Sequence, residues 1–102
     1  GHSTRSGIVL SRDNFYPGVN TPLAPDYQVM SQAHVLAVEM ECAALFLVGS
    51  LRQARTGAIL VADGNVLEAS ESVESYNPGQ DVVHAAVEIA IGCALEALCL
   101  PR

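Results

Sequence analysis

Two carboxylates, Glu39 and Glu41, directly follow the apolar run 35–38 and flank Met40. Such a pair can accept hydrogen bonds from two neighbouring hydroxyl groups, and charge-assisted hydrogen bonds are strong. A helix that is apolar on almost every side, and therefore a core helix, is predicted from Cys42 onward. It places both acids at the positive end of its dipole, where unpaired N–H groups need acceptors. The spacing therefore predicts a binding site for a hydroxylated ligand. The alternative for Glu41 is an acid that only complements the helix dipole.

Two further side chains with suitable chemistry follow two other apolar runs, 7–11 and 58–62. Phe15 comes after the first run and offers a flat face on which a ring can stack. Asp63 comes directly after the second run and adds a third carboxylate. Both residues have a structural alternative, because an aromatic residue before Pro-Gly often packs in a turn and an aspartate before glycine often forms one. Together they predict a ligand that carries a flat ring as well as hydroxyl groups.

The apolar runs alternate with helical patterns along the chain. The predicted order is strand 7–11, helix 27–34, strand 35–38, helix 42–51, strand 58–62 and helix 81–98, with Asp81 as the cap of the last helix. This order is typical of an α/β fold, here part of a mixed, mainly parallel sheet flanked by helices. Because ligands bind beyond the carboxyl ends of parallel strands, the side chains after each strand are expected to converge there. Three strands leave unpaired edges, so the sheet is expected to be incomplete.

Composition excludes several classes of protein. The chain has eleven acidic residues and five arginines, which give a net charge of −6. It therefore lacks the basic surface that nucleic-acid binding requires. The uncharged apolar runs are shorter than the ~20 residues that cross a bilayer, so no membrane span is expected. The three cysteines form no CxxC pair and are expected to be reduced and buried, without a metal site, in a cytoplasmic protein. The 102 residues are expected to form a single domain.

Three segments of the chain together resemble a known enzyme family. These segments are GIVLSRDNFYPG, VEMECAALF and GAILVADGN. They are similar to the C-terminal half of the nucleoside phosphorylase superfamily, which includes uridine phosphorylase, hexameric purine nucleoside phosphorylase and the methylthioadenosine nucleosidases. The resemblance spans nearly the whole chain, and F-Y-P-G favours the uridine phosphorylase branch. It implies a phosphorylase/hydrolase-like fold of which residues 1–102 are the nucleoside-binding half.

The resemblance also implies roles for individual residues. Phe15 would pack against the nucleobase, Met40 would line the ribose, and Glu41 would bind the ribose hydroxyls. Glu39 would lie close to the base or the sugar. Asp63 would be the general acid that protonates the leaving base, which requires a carboxyl pKa raised by burial. The implied reaction is attack of phosphate on the anomeric carbon through a transition state with oxocarbenium character.

Departures from the family pattern limit what the resemblance implies. Val19 and Thr21 stand where uridine phosphorylases carry the glutamine and arginine that bind uracil, and neither can make those hydrogen bonds. The arginine that assists the acid in the purine branch would fall near Tyr76, where this chain has no arginine. The phosphate site of the family lies in its N-terminal half, which has no counterpart in these residues, so the isolated chain is not expected to turn over.

The expected co-substrate is inorganic phosphate, with no cofactor. The expected partners are a nucleoside, the N-terminal half that supplies the phosphate site, and further copies in a hexameric or dimer-based homo-oligomer. Two alternatives stay open. One is a nucleosidase in which water replaces phosphate, and the other is a non-catalytic fragment that binds nucleosides or forms oligomers.

Overall fold

The computed structural model describes residues 3–14, 22, 24–68, 77 and 79–101. The helices and strands among them are β1 (Ile8–Ser11), α1 (Tyr27–Gln32), β2 (Val35–Glu39), α2 (Cys42–Leu51) and α3 (Asp81–Cys99). The chain divides into two compact units, Gly1–Gly57 and Ala58–Arg102. The first unit holds both strands with α1 and α2, and the second holds α3. The predicted α/β class is confirmed.

β1 and β2 form a parallel pair joined by a crossover that contains α1. Leu10 lies opposite Val38, and Ser11 lies opposite Glu39. The ladder continues by one more hydrogen bond, which the backbone N–H of Arg12 donates to the carbonyl of Glu39 at 2.8 Å. The two strands therefore end side by side, and their last paired residues are both polar.

The chain enters and leaves α1 through well-defined caps. The side chain of Asp26 accepts hydrogen bonds from the backbone N–H groups of Gln28, at 2.9 Å, and Val29, at 3.1 Å. These groups have no partner within the helix, so the carboxylate stabilises its start. After the helix, His34 adopts a φ of 61°, a left-handed conformation that histidine tolerates better than most residues. The chain thereby reverses into β2.

α2 ends in a Schellman motif. Gln53 has a φ of 53°, its N–H donates to the carbonyl of Ser50 at 3.1 Å, and the N–H of Ala54 donates to the carbonyl of Gly49 at 2.9 Å. Gly49 itself is buried. A Cβ at this position would lie 2.2 Å from Cγ2 of Thr56, so no larger residue fits without movement.

The sequence predicted α2 as a core helix, but most of it is exposed. Its buried residues are Cys42 and Gly49, whereas Leu47 and Leu51 are 62% and 73% exposed. The apolar end of α3 is exposed in the same way, with Leu98 at 81%. A helix that is apolar on every side needs cover on every side. The described residues cover α2 only where Cys42 and Gly49 lie.

The prediction of a strand at 58–62 was wrong, because these residues belong to no strand in the structure. A strand needs ladder hydrogen bonds to a neighbouring strand. In the described part of the second unit, the single regular element is a helix, α3. The side chains of Ile59, Leu60 and Val61 instead line an apolar groove of about 340 Å³ along α3.

Two further expectations about the apolar segments also need correction. Cys42 is buried, but Cys93 and Cys99 are exposed, so two of the three thiols are not core residues. Asp81 is the first residue of α3 rather than its cap, a position that Gln80 holds without a side-chain hydrogen bond.

The 19-residue α3 is long and apolar enough to cross a membrane by length and composition alone. The apolar runs counted in the sequence had suggested no such segment, because Glu88 and Glu96 interrupt them. Core helices of soluble proteins satisfy the same criteria, so one such helix is weak support for a membrane span.

Candidate functional site

The candidate site lies where β2 passes into α2. Glu39 is the last residue of β2, and Met40 and Glu41 connect it to Cys42, the first residue of α2. The predicted residues Glu39, Met40 and Glu41 therefore lie at the carboxyl end of a parallel strand, the usual position of ligand sites in α/β sheets. The side chain of Met40 is 39% exposed and Glu41 is exposed. Both are accessible to a ligand.

The carboxylate of Glu39 is held by three donors. Its Oε2 accepts hydrogen bonds from the backbone N–H groups of Glu41, at 2.7 Å, and Cys42, at 2.6 Å, and its Oε1 accepts one from the hydroxyl of Ser11. The N–H groups belong to the start of α2, where no helical partner exists, so Glu39 caps this helix. The predicted placement of a carboxylate at the positive end of the helix is confirmed.

The same contacts shift the ionisation of Glu39. The hydrogen bond from Ser11 is the largest cause that lowers the pKa of Glu39, from 4.5 to about 2, and the backbone hydrogen bonds add to it. Partial burial opposes this change, because desolvation disfavours the charged form. Glu39 is therefore a charged carboxylate at neutral pH, and its three hydrogen-bond donors hold it in place.

Ser11 connects three elements at this point. Its Oγ donates to Glu39 and accepts a hydrogen bond from the backbone N–H of Ala43 at 2.9 Å. One hydroxyl group thus links the end of β1 to the end of β2 and to the first turn of α2. The sequence interpretation placed Ser11 within a strand and missed this role. The available signal was a polar residue at the end of an otherwise apolar strand.

Glu41 has a different environment from Glu39. It occupies the N-cap position of α2 but its side chain makes no capping hydrogen bond, a function that Glu39 fulfils. Its Oε2 accepts a hydrogen bond from the backbone N–H of the preceding residue, Met40, at 3.3 Å. One carboxylate of the pair is thus held by hydrogen bonds within the fold, while the other is exposed beside the helix start.

Cys42 does not supply a nucleophile here. Its thiol is buried, and desolvation raises its pKa, with further increases from the hydrogen bond to Glu39 and the charges of Glu39 and Glu41. A thiol with a raised pKa stays protonated at neutral pH, and the thiolate is the reactive form.

Within the described residues, no cluster of three or more His, Cys, Asp or Glu side chains is placed to hold a metal ion.

Arg12 links the two ends of the segment that carries Phe15. Its guanidinium donates a hydrogen bond to the hydroxyl of Tyr27 and lies over the ring, 5.6 Å from the centroid. Arg12 directly follows β1, and Tyr27 begins α1. This contact therefore holds the two ends of the connection 13–26 together, next to the last residue of β1.

Phe15 and Asp63, the remaining predicted site residues, lie outside the described part of the first unit. Phe15, with Val19 and Thr21, lies outside the described residues. Asp63 belongs to the second unit, where it is exposed and precedes a turn closed by a hydrogen bond from the N–H of Glu68 to the carbonyl of Asn65 at 3.1 Å. The convergence of these residues with Glu41 stays a prediction.

Comparison with known protein families identifies the family to which the chain belongs. The sequence profile of the phosphorylase superfamily matches residues 1–98, which include every residue of the candidate site. The chain belongs to the phosphorylase superfamily. The resemblance based on the three segments is confirmed, and with it the assignment of the chain to a family of enzymes.

Relatives within the phosphorylase superfamily carry two kinds of name. The uridine phosphorylase of Treponema pallidum is 37% identical over 101 residues, which cover 92% of this chain and 37% of the relative. The purine nucleoside phosphorylase of Plasmodium falciparum is 36% identical over 91 residues, which cover 87% of this chain and 36% of the relative. The DeoD-type purine nucleoside phosphorylase of Dichelobacter nodosus is 34% identical over 94 residues, covering 90% of this chain and 38% of the relative. No solved structure shows a significant match.

The chain thus spans less than two fifths of the length of these curated relatives. Within the superfamily, both uridine and purine nucleoside phosphorylases are similar to it at nearly the same identity. The comparisons therefore support nucleoside phosphorylases as a group and do not favour one base.

Proposed function

We propose that this protein is a nucleoside phosphorylase, which cleaves the N-glycosidic bond of a nucleoside with inorganic phosphate to give the free base and a pentose 1-phosphate. The observation that carries the proposal is the match to the phosphorylase superfamily over residues 1–98. The position of Met40 and the exposed Glu41 at the carboxyl end of β2 supports it. Phosphate is the co-substrate, and no cofactor takes part.

Glu41 is the residue proposed to bind the ribose. A carboxylate can accept hydrogen bonds from two neighbouring hydroxyl groups, and the 2′ and 3′ hydroxyls of ribose are such a pair. Met40, half-exposed beside it, would pack against the apolar side of the sugar. Glu39 is proposed to act close by through the backbone that it caps.

Phe15 and Asp63 are proposed to act on the base. Phe15 would stack on the ring, and Asp63 would protonate it as it leaves. A phosphate oxygen forms a bond to the anomeric carbon while the bond from that carbon to the base nitrogen breaks. The electron pair of that bond passes to the base, which takes up a proton from the acid. Proton transfer of this kind typically contributes about 10²- to 10⁴-fold to a rate.

The base is open between uracil and a purine. The F-Y-P-G motif and the relative from Treponema pallidum favour uridine. Val19 and Thr21 supply neither an amide nor a guanidinium for uracil, and the relatives from Plasmodium falciparum and Dichelobacter nodosus favour purine nucleosides.

The exposed apolar side chains of α2 and α3 support a proposal about assembly. Leu47 and Leu51 of α2 and Leu98 of α3 are all more than half exposed. Large exposed apolar side chains in such numbers on a helix usually mark an interaction site. We therefore propose that these helices pack against additional phosphorylase structure of the kind present in the longer relatives, against other subunits, or against both.

A panel of nucleosides assayed with and without phosphate tests the proposed function. Uridine, inosine and adenosine are incubated with the full-length protein, and the base and sugar products are quantified by chromatography. The expected result is release of base and pentose 1-phosphate only when phosphate is present. Release of base and free pentose without phosphate would instead show a nucleosidase. Binding of nucleosides without any turnover would show a non-catalytic protein.

A further inference from the structure

The proposed sugar-binding carboxylate, Glu41, has its backbone fixed on both sides by one neighbour. The N–H groups of Glu41 and Cys42 flank the Cα of Glu41, and both donate to Oε2 of Glu39, at 2.7 and 2.6 Å. Two anchored peptide groups restrict both backbone torsions of the residue between them, here φ −123° and ψ −27°. The direction in which the side chain of Glu41 leaves the backbone is therefore set by the carboxylate of Glu39.

The orientation of the Glu39 carboxylate depends in turn on Ser11. A carboxylate on a strand can rotate about its terminal torsion, which has a broad energy profile. Ser11 holds the second oxygen, Oε1, and so fixes the plane of the group. The hydroxyl of Ser11 is itself held, because its oxygen accepts the N–H of Ala43 at 2.9 Å. Removing it would free Oε1 and leave Ala43 without this acceptor.

We infer that Ser11 is a positioning residue of the nucleoside site, which acts through Glu39 to hold Glu41 where its carboxylate meets the ribose hydroxyls. The inference rests on the proposed function. Ser11 need not touch the substrate, because the chain of contacts runs from its hydroxyl to Glu39, from there to the peptide groups around Glu41, and then to the sugar. The consequence is that Ser11 affects recognition of the sugar hydroxyls and not of the base.

The test compares ribonucleosides with 2′-deoxyribonucleosides in the full-length protein. With Ser11→Ala, kcat/KM for the ribonucleoside should fall roughly tenfold, the size expected for one lost hydrogen bond. The value for the matching 2′-deoxynucleoside should change much less, since one of the hydroxyls that Glu41 would bind is already missing. Ser11→Thr keeps the hydroxyl and should restore the preference for ribose.

Controls separate positioning from general damage to the fold. Ser50→Ala removes an exposed hydroxyl from α2 and should leave both substrates unaffected. In a protein that already carries Glu41→Gln, adding Ser11→Ala should cause little further loss for the ribonucleoside. If Ser11→Ala does not fold, as judged by circular dichroism, Ser11→Cys replaces it, because a thiol is a much weaker donor of similar shape.

The outcomes distinguish the inference from the function on which it rests. An unsubstituted protein that cleaves no nucleoside would overturn both. Turnover by the unsubstituted protein, with Ser11→Ala reducing the ribo- and deoxyribonucleoside rates equally or not at all, would overturn the inference alone. A selective loss for the ribonucleoside that Ser11→Thr reverses would support it.

Discussion

The carboxylate of Glu39 accepts a hydrogen bond from the backbone N–H of Cys42 at 2.6 Å, so α2 is capped by a residue that belongs to the preceding strand. A cap of this kind joins the end of the strand rigidly to the start of the helix. The two residues between them, Met40 and Glu41, are those proposed to contact the sugar. The rigidity of the candidate site therefore depends on the charge of Glu39.

Acid should weaken this cap, and the pKa of Glu39 defines the pH range over which the stabilisation is lost. Its pKa in the folded protein is about 2, below the ordinary 4.5, so the unfolded state binds more protons between these values. The stabilisation is fully present above about pH 4.5 and is lost as the pH falls through about 2. We expect the difference in unfolding free energy between the unsubstituted protein and Glu39→Gln to shrink as the pH is lowered from 7 to 2.5 in urea titrations.

The matched control for this titration is Glu88→Gln, which removes an exposed acid from α3. This control removes one negative charge without removing a helix cap, so it separates the effect of the cap from that of net charge. A Glu39→Gln protein whose stability tracks that of the unsubstituted protein across the whole range would contradict the assigned role of the cap.

For Gly49→Ala, packing against Thr56 and helix propensity are expected to change the free energy of unfolding in opposite directions. Propensity alone makes Gly→Ala in a helix favourable by about 1 kcal/mol. A Cβ at Gly49 would lie 2.2 Å from Cγ2 of Thr56, and overpacking of this kind usually costs about 1–3 kcal/mol. We therefore expect Gly49→Ala to lower the unfolding free energy measured in urea, and Thr56→Ser, which removes Cγ2, to recover part of the loss.

Gly92 in α3 provides the control for Gly49. A Cβ at Gly92 would meet no atom within 4 Å. Gly92→Ala should therefore raise the unfolding free energy by about the propensity difference, roughly 1 kcal/mol. Equal effects at the two positions would show that the contact between Gly49 and Thr56 does not determine the result.

Much of the local structure could be predicted from the sequence, because it depends on short-range patterns. The apolar runs gave both strands, β1 and β2, within one residue at each end, and the apolar and periodic segments gave the three helices. What could not be predicted is where the apolar side chains pack. The pattern of residues 58–62 shows that they avoid water, but a strand requires a partner, and a pattern within the chain does not identify one.

The candidate site was likewise predictable only where it depends on local sequence. The position of Glu39, Met40 and Glu41 at the end of an apolar strand was predictable from the order of residues. The different roles of the two acids were not, because they depend on Ser11, which is 28 residues away from Glu39 and reaches it through the register of the parallel pair. Register is a tertiary property, and nothing in the local sequence around Glu39 specifies it.

Glu41→Gln tests the proposed contact with ribose. Replacing a carboxylate by an amide removes a charge-assisted hydrogen bond, worth about 1.5–3 kcal/mol, so kcat/KM for a ribonucleoside should fall roughly ten- to hundredfold. Stability should change little, because the side chain of Glu41 makes no capping hydrogen bond. Glu39→Gln, by contrast, should lower stability and activity together. Unchanged kinetics in the Glu41→Gln protein would remove Glu41 from the site.

Asp63→Asn tests whether the acid in the second unit takes part in proton transfer or only forms a turn before Gly64. An amide can hold a turn but cannot give up a proton, so kcat for a natural nucleoside should fall by roughly 10²- to 10⁴-fold, with KM less affected. A ribose bearing a nitrophenol leaving group needs no protonation, so its cleavage should fall far less. Steady-state kinetics with both substrates measure the difference. An equal loss on the two, accompanied by a lower melting temperature, would mean that Asp63 supports the turn and that the proton comes from another group, because only a general acid distinguishes leaving groups by their basicity.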